Sequence, residues 1–331
     1  MTAPPESRTS SRRRERHTRR TRRIRRAAVV ALVLSALGSW LVVSRSTTGA
    51  PAGAVASATV TAGGGGAEGA TADGTEDSAD GTPGGATEDA TESTAATAAD
   101  TALAAAVGAL DGHFAVTVAD PDAGTSAAWG DDSFVTASIV KVDILAALLL
   151  RNDGVLTGDQ QAAAALMIER SDNAAATTLF DAVGGAPGLD AANAAFGLTG
   201  TTAGTDGFWG LTETTAADQE QLLRVVFTED SPLGSASRAY LAKLMGLVAD
   251  DQDWGVSAAD QGGAVKLKNG WLSRDSTGLW VVNSIGLVEY GGRSLLVSVL
   301  SDGSASKEAG IALVESVASA AVSSFADAAR E

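Results

Sequence analysis

The chain has 331 residues, of which 45% are hydrophobic, and it contains no cysteine, which excludes disulfides, thiolate nucleophiles and cysteine-ligated zinc. Eleven Arg and two Glu lie in residues 1–26, so the remainder carries 13 basic against 38 acidic residues, a net charge of −25. Such an acidic body repels phosphate backbones and argues against a nucleic-acid partner.

The first hundred residues divide into three segments by composition. Residues 1–26 form a basic tail predicted to stay in the cytoplasm, and residues 27–43 form an uncharged apolar run. As a helix this run would be about 26 Å long, near the lower limit for crossing a bilayer. It predicts an uncleaved transmembrane anchor that holds the rest of the chain outside the cytoplasm; the alternative is a cleaved signal segment and a secreted protein. Residues 44–98 contain almost no large apolar side chain and are predicted to be a disordered linker.

A folded domain is predicted over residues 99–331. Its predicted helices span residues 100–110, 136–150, 160–170, 174–182, 214–227, 235–248 and 307–329. Its predicted strands span residues 113–119, 125–130, 263–274, 278–290 and 293–301. Strands at both ends with helices between them predict one antiparallel sheet of about five strands with helices on both faces, an α/β (α+β) fold.

The helix predicted over residues 136–150 carries a hydroxyl and an amine in its first turn. Ser138 and Lys141 are three residues apart, so their side chains would meet on one helix face near the positive end of the helix dipole. The same spacing occurs at Ser304 and Lys307, where a turn before a surface helix explains it. The spacing alone therefore marks an ordinary helix start more often than a nucleophile.

Two further short motifs follow in order. Ser171-Asp172-Asn173 precedes a predicted helix and by itself is typical of a helix cap. Lys268-Asn269-Gly270 by itself is typical of a tight turn, although the alternating residues around it indicate a strand. The ordered set of three resembles the class A β-lactamase family of penicillin-recognising serine hydrolases.

The resemblance implies a β-lactamase/transpeptidase-like fold and an enzyme that forms an acyl-enzyme with β-lactams or D-alanyl cell-wall peptides. Ser138 is implied as the nucleophile, Lys141 as the base that takes its proton, and Ser171 as the relay that carries a proton to the leaving nitrogen. No cofactor or metal is implied, and the domain is expected to be a monomer whose partner is a small β-lactam or a peptidoglycan peptide.

The resemblance also implies substrate-binding residues. Asn173 would hold both the Lys141 amine and the substrate amide, and Lys268 would face the substrate carboxylate. Asn269 stands where the family usually has Thr or Ser, which changes the hydrogen bond offered to that carboxylate. Gly270 would let the substrate approach the strand, and the backbone N–H of Trp271, with that of Ser138, would form the oxyanion hole.

Other features depart from the family pattern. The interval between the first two motifs is short, and there is no E-x-x-L-N motif for the glutamate that activates the deacylating water. Residues 205–215 are the nearest counterpart, and Glu213 is the glutamate there: either a residue at a helix N-terminus, favoured by the dipole, or the deacylation base. Slow turnover is therefore predicted. The alternatives are a tethered binding module that senses β-lactams or muropeptides, and a structural envelope protein.

Overall fold

The structure of the chain is a computed structural model that describes residues 98–329. The predicted basic tail, the membrane segment at residues 27–43 and the linker up to residue 97 lie outside the described residues.

Five strands from the two ends of the described region form one antiparallel sheet: β1 (His113–Asp120), β2 (Thr125–Trp129), β5 (Lys266–Ser273), β6 (Trp280–Tyr290) and β7 (Arg293–Asp302). Their order across the sheet is β2-β1-β7-β6-β5. Two further strands of two residues each, β3 (Phe134–Val135) and β4 (Glu213–Thr214), pair separately. The prediction of a five-stranded antiparallel sheet built from both ends is confirmed.

Eight α-helices cover the sheet within the described residues. They are α1 (Ala98–Val107), α2 (Val140–Arg151), α3 (Gly158–Glu169), α4 (Asn173–Val183), α5 (Gly185–Phe196), α6 (Ala216–Phe227), α7 (Ser235–Met245) and α8 (Lys307–Ala328). Strand β7 shows how both faces are used. Leu295, Val297 and Val299 pack against the layer of α1 and α8, whereas Leu296 and Leu300 pack against the layer that contains α2 to α7. Period-2 alternation with both faces covered explains why these strands are apolar throughout.

Helix α8 is long and apolar enough, by composition alone, to cross a membrane. One face of it is buried against the sheet, including Gly310, Val314, Val317 and Phe325. In this structure it is therefore a core helix of the folded domain.

The structure differs from the sequence predictions in two helices. Helix α5 was not predicted, because Gly185, Pro187 and Gly188 in its first turn read as a loop; proline is tolerated there because first-turn N–H groups have no helical partner. The helix predicted from residue 214 begins at Ala216 after the cap residue Thr215. The side chain of His113, the first residue of β1, is 51% exposed and bonds Asp302 and Asp132.

Candidate active site

Ser138 lies in a short 3-10 turn, Ala137–Ile139, that leads directly into α2. Nearly every residue of α2 is buried, so the helix is fixed in the core and its start is fixed with it. Ala137 adopts a φ of 50°, in the left-handed region that costs energy for a residue with a Cβ and that recurs at functional sites. Ser138 remains partly exposed, so its hydroxyl is open to a ligand.

The backbone before Ser138 is held from two sides. The buried Asn283 of β6 donates hydrogen bonds to the carbonyl oxygens of Val135 (2.8 Å) and Thr136 (3.0 Å). On the other side, the N–H of Thr136 donates to the carbonyl of Thr212 at 2.8 Å. These contacts stabilise the strained turn that presents the nucleophile. Asn283 was missed from the sequence; the signal was a polar residue inside the apolar run WVVNSIGLV.

Gly270 of β5 packs directly against the nucleophile turn. A Cβ added there would lie 2.6 Å from the backbone nitrogen of Ser138 and 2.7 Å from the carbonyl oxygen of Thr136, closer than real contacts allow. The absence of a side chain on Gly270 therefore lets β5 lie beside Ser138. The predicted proximity of the first and third motifs has this physical basis.

The amine of Lys141 is the centre of the cluster. Its side chain is fully buried, and Nζ lies 3.0 Å from Ser138 Oγ, 3.1 Å from Ser171 Oγ, and 2.8 Å from both the Ser171 carbonyl and Asn173 Oδ1. The last two oxygens can only accept hydrogen bonds. A neutral amine has two hydrogens for them and a lone pair left for the hydroxyl of Ser138, which is the arrangement a base requires.

Electrostatics favour that neutral form. Burial lowers the pKa of the Lys141 amine to about 7, and the nearby Asp172 carboxylate opposes this only in part. Burial, reinforced by the charge of Lys141, also holds the pKa of Lys268 well below its usual value. Because like charges repel, a charge on either amine disfavours a charge on the other.

Ser171 connects the two amines. Its hydroxyl lies 3.1 Å from the Nζ of Lys141 and 3.0 Å from the Nζ of Lys268, which also donates to the carbonyl of Asn269 at 2.8 Å. Ser171 has a φ of 55°, a second strained residue at the site. A continuous path of polar hydrogens thus runs from Ser138 through Lys141 and Ser171 to Lys268.

The second motif is both a helix cap and a wall of the site. The Asp172 side chain accepts a hydrogen bond from the N–H of Ala175 at 2.8 Å and caps α4. That cap orients the first turn of α4, from which Asn173 reaches Lys141. The two interpretations of the motif are therefore compatible, and Asp172 fixes its loop as the sequence indicates.

Asn269 is not brought to the cluster by its side chain. Its amide donates to the carbonyls of Gln252 (2.8 Å) and Trp254 (3.0 Å), and the residue is fully buried. Strand alternation explains this, because Lys268 and Gly270 face Ser138 while the residue between them faces the opposite side. The expectation that Asn269 offers a hydrogen bond to a substrate carboxylate is not supported by this placement.

The indole of Trp271 also faces away from Ser138, against the ring of Trp254 (centroids 5.7 Å apart) and under the amine of Lys307 (3.8 Å). The predicted role of Trp271 concerns only its backbone N–H. Strand β5 is an edge strand of the sheet, so alternate backbone groups of β5 face away from β6.

Glu213 lies in β4, opposite Val135, and not at a helix N-terminus as one interpretation held. Its side chain is exposed and borders a surface groove with Phe208 and Leu211. In residues 98–329, no hydrogen bond or ion pair joins a carboxylate to Ser138 or Lys141. Glu213 therefore makes no bonded contact with Ser138 or Lys141, and its role as the deacylation base stays a prediction.

Trp209 was missed by sequence reasoning and lies at the centre of the site. The Lys141 amine is 4.9 Å from the centroid of its ring, and its indole N–H donates to Thr177 Oγ1 at 3.2 Å. The only signal in the sequence was an aromatic residue in the stretch where a glutamate was sought. No spacing rule connects residue 209 with residue 141.

Among the described residues no group of His, Asp and Glu has the composition and proximity of a metal site.

Comparisons with known proteins show the family and the fold of the chain. The beta-lactamase enzyme family matches residues 159–325. A class A beta-lactamase from Bacteroides cellulosilyticus DSM 14838 has a similar fold, with 16% sequence identity and a TM-score of 0.59 over 70% of this chain and 99% of that one. A beta-lactamase from Chitinophaga pinensis DSM 2588 has 20% identity and a TM-score of 0.57 over 71% of this chain and 99% of that one. A beta-lactamase from Burkholderia vietnamiensis has 23% identity and a TM-score of 0.56 over 68% of this chain and 95% of that one. At these identities the structures show a common fold. No curated protein matches the chain.

Proposed function

The chain belongs to the beta-lactamase enzyme family, and from that premise we propose that it is a serine hydrolase that acylates Ser138 with β-lactams or D-alanyl peptides and releases the product slowly. The observation that carries the proposal is the contact between the buried Lys141 amine and the Ser138 hydroxyl at 3.0 Å. A base within hydrogen-bond reach of a partly exposed hydroxyl is the minimum that nucleophilic catalysis needs.

Acylation begins when the lone pair of Lys141 takes the proton of Ser138 as Oγ bonds to the carbonyl carbon of the substrate. The charge that develops on the carbonyl oxygen is stabilised by backbone N–H groups, for which those of Ser138 and Trp271 are proposed. The carbon–nitrogen bond then breaks. The leaving nitrogen takes a proton from the Ser171 hydroxyl, which regains one from the Lys141 ammonium, and the products are an ester on Ser138 and a free amine.

Substrate binding is proposed to use both sides of the cluster. Lys268 lies next to Ser171, where its amine is proposed to hold the carboxylate that β-lactams and D-alanyl peptides share. The side chain of Asn173 is exposed apart from its bond to Lys141, so its amide N–H₂ can donate to the substrate amide.

Deacylation requires water to attack the ester while a base accepts its proton. The lack of a bonded carboxylate near Ser138 among residues 98–329 supports slow turnover. In this proposal the protein is an enzyme, and the acyl-enzyme accumulates because its hydrolysis is slow.

Location is proposed from the sequence alone. An apolar run at residues 27–43 after a basic tail, followed by a long polar linker, suits a monomeric domain tethered to the outer side of the cell membrane. D-alanyl cell-wall peptides lie on that side, so the proposed substrate class and the proposed location agree.

Labelling of the purified full chain with a fluorescent penicillin tests this function. We expect one covalent label per chain, lost in Ser138→Ala and retained in the matched control Ser304→Ala, the serine of the second S-x-x-K spacing. Labelling that survives Ser138→Ala would refute the assignment. Reversible binding without a mass increase would instead favour a binding module, and rapid nitrocefin hydrolysis would refute slow turnover.

A further inference from the structure

The amine of Lys141 lies over the ring of Trp209 in addition to contacting its hydrogen-bond partners. Four oxygens from Ser138, Ser171 and Asn173 contact Nζ, and the indole ring lies 4.9 Å away. The Lys141 side chain is fully buried although Ser138, Ser171 and Asn173 are themselves partly or fully exposed, so the ring contributes to that burial.

The ring is held in a fixed position from both ends. Its indole N–H donates to Thr177 Oγ1, on the same helix as Asn173. The backbone carbonyl of Trp209 accepts a hydrogen bond from Thr212 Oγ1 at 2.8 Å. The backbone carbonyl of Thr212 in turn accepts a hydrogen bond from the N–H of Thr136, two residues before the nucleophile. The loop is also tightly closed, since Gly204 packs against the carbonyl of Phe208 with no space for a Cβ. Trp209 is therefore a rigid part of the site and not a mobile surface side chain.

A rigid aromatic ring over a catalytic amine has two physical consequences. It removes water from the amine, which favours the neutral base, and it occupies the space through which water would reach the base and the ester beside it. The attraction between an ammonium and the ring acts in the opposite direction but is the smaller effect where burial dominates.

We propose that Trp209 is a positioning residue that shields Lys141 and the Ser138 ester from water and thereby prolongs the life of the acyl-enzyme. This inference rests on the proposed function, since it concerns the same covalent species. Slow release of the product from Ser138 then has two causes, the shielding of the ester from water by Trp209 and the lack of a carboxylate bonded near Ser138. In hydrolysis, water bonds to the carbonyl carbon of the ester and gives a proton to Lys141. The bond from that carbon to Ser138 Oγ then breaks, and Oγ takes the proton back from Lys141. The indole ring lies beside this amine, 4.9 Å from Nζ.

The test uses the full chain acylated with benzylpenicillin and follows the loss of the covalent mass with time. We expect Trp209→Ala to shorten the adduct lifetime about tenfold or more, because water gains access to the ester. We also expect the pH of half-maximal acylation to rise by about one unit, since a hydrated Lys141 has a higher pKa. Trp209→Phe retains a ring and should stay within about threefold of the wild-type lifetime.

The adjacent aromatic residue provides the matched control. Phe208 is 63% exposed and contacts neither amine, so Phe208→Ala should change neither the lifetime nor the pH profile. Thr177→Val removes the acceptor of the indole N–H while keeping the ring, and should shorten the lifetime less than Trp209→Ala does. If Trp209→Ala does not fold, Thr177→Val and Trp209→Phe decide the question by the same two readouts.

A folded Trp209→Ala chain with an unchanged lifetime and pH profile would overturn the inference and leave the proposed function intact. Loss of acylation in a folded Trp209→Ala chain would overturn it too, because the ring would then be needed for attack and not for shielding. Failure of the wild-type chain to form any adduct would overturn the proposed function and this inference with it.

Discussion

The helical layer and the sheet supply unlike halves of the site. The helical side supplies four residues at or before helix starts: Ser138, Lys141, Ser171 and Asn173. Ser138 follows Ala137, which has a φ of 50°, and Ser171 itself has a φ of 55°. The sheet side gives Lys268, Gly270 and Asn283 from regular strands, and all three residues are buried. The comparison teaches that the reacting groups lie on strained turns, while regular strands hold those turns in position. Changes on the helical side should affect chemistry more than stability, and changes on the sheet side should affect both.

The largest expected effect comes from the helical side. Lys141→Met removes the base but keeps a similar volume, so acylation of the chain by benzylpenicillin should fall about 10²–10⁴-fold. Stability should be retained or increased, because a buried amine with a lowered pKa is replaced by an apolar side chain. Stopped-flow labelling and thermal denaturation measure the two quantities. Loss of stability without loss of acylation would contradict the division between the two sides.

Gly270→Ala tests the sheet side by steric means. The added Cβ would overlap the backbone of Ser138 and Thr136, so either β5 or the nucleophile turn must move. We expect a loss of about 1–3 kcal/mol in the free energy of unfolding and at least tenfold slower acylation. Gly158→Ala is the control, since a Cβ there meets nothing within 4 Å. Normal acylation by a stable Gly270→Ala chain would mean that β5 does not fix the position of Ser138.

Asn283→Leu removes the link between β6 and the residues before the nucleophile. The carbonyl of Val135 and the N–H of Ser301 lose their partner inside the protein, which should cost about 1–3 kcal/mol of unfolding free energy. Acylation should slow by a smaller factor than in Gly270→Ala, because the Thr212 contact still holds Thr136. Chemical denaturation gives the first quantity and labelling rates give the second. An effect on acylation larger than that of Gly270→Ala would reverse this order.

Glu213→Gln should have the smallest effect. The carboxylate is exposed and bonds neither Ser138 nor Lys141, so both the adduct lifetime and nitrocefin turnover should stay within about twofold of the wild type. A large fall in turnover would show that Glu213 reaches the ester after all, and would restore the deacylation role that its sequence position suggested.

Much of the fold and half of the site could be predicted from the sequence. Each of the three motifs spans only three or four residues and lies at a helix start or within a strand. The chemistry of Ser138, Lys141 and Ser171 could therefore be inferred from the local spacing within each motif. Strand alternation could also have shown that Asn269 and Lys268 face opposite ways. Trp209 and Asn283 could not be found in this manner, because their contacts join residues 68 and 147 positions apart in the chain, through tertiary packing alone.

The pH dependence of acylation tests the central claim most directly, since that claim is a neutral Lys141 amine beside the Ser138 hydroxyl. The pKa of Lys141 is about 7, and only the deprotonated amine can accept the proton, so the rate should rise with pH through about 7 and then level off. A rate of benzylpenicillin acylation that is half-maximal near pH 7 is the predicted result. A rate that stays low at neutral pH and rises only near the ordinary lysine pKa of about 10 would contradict it.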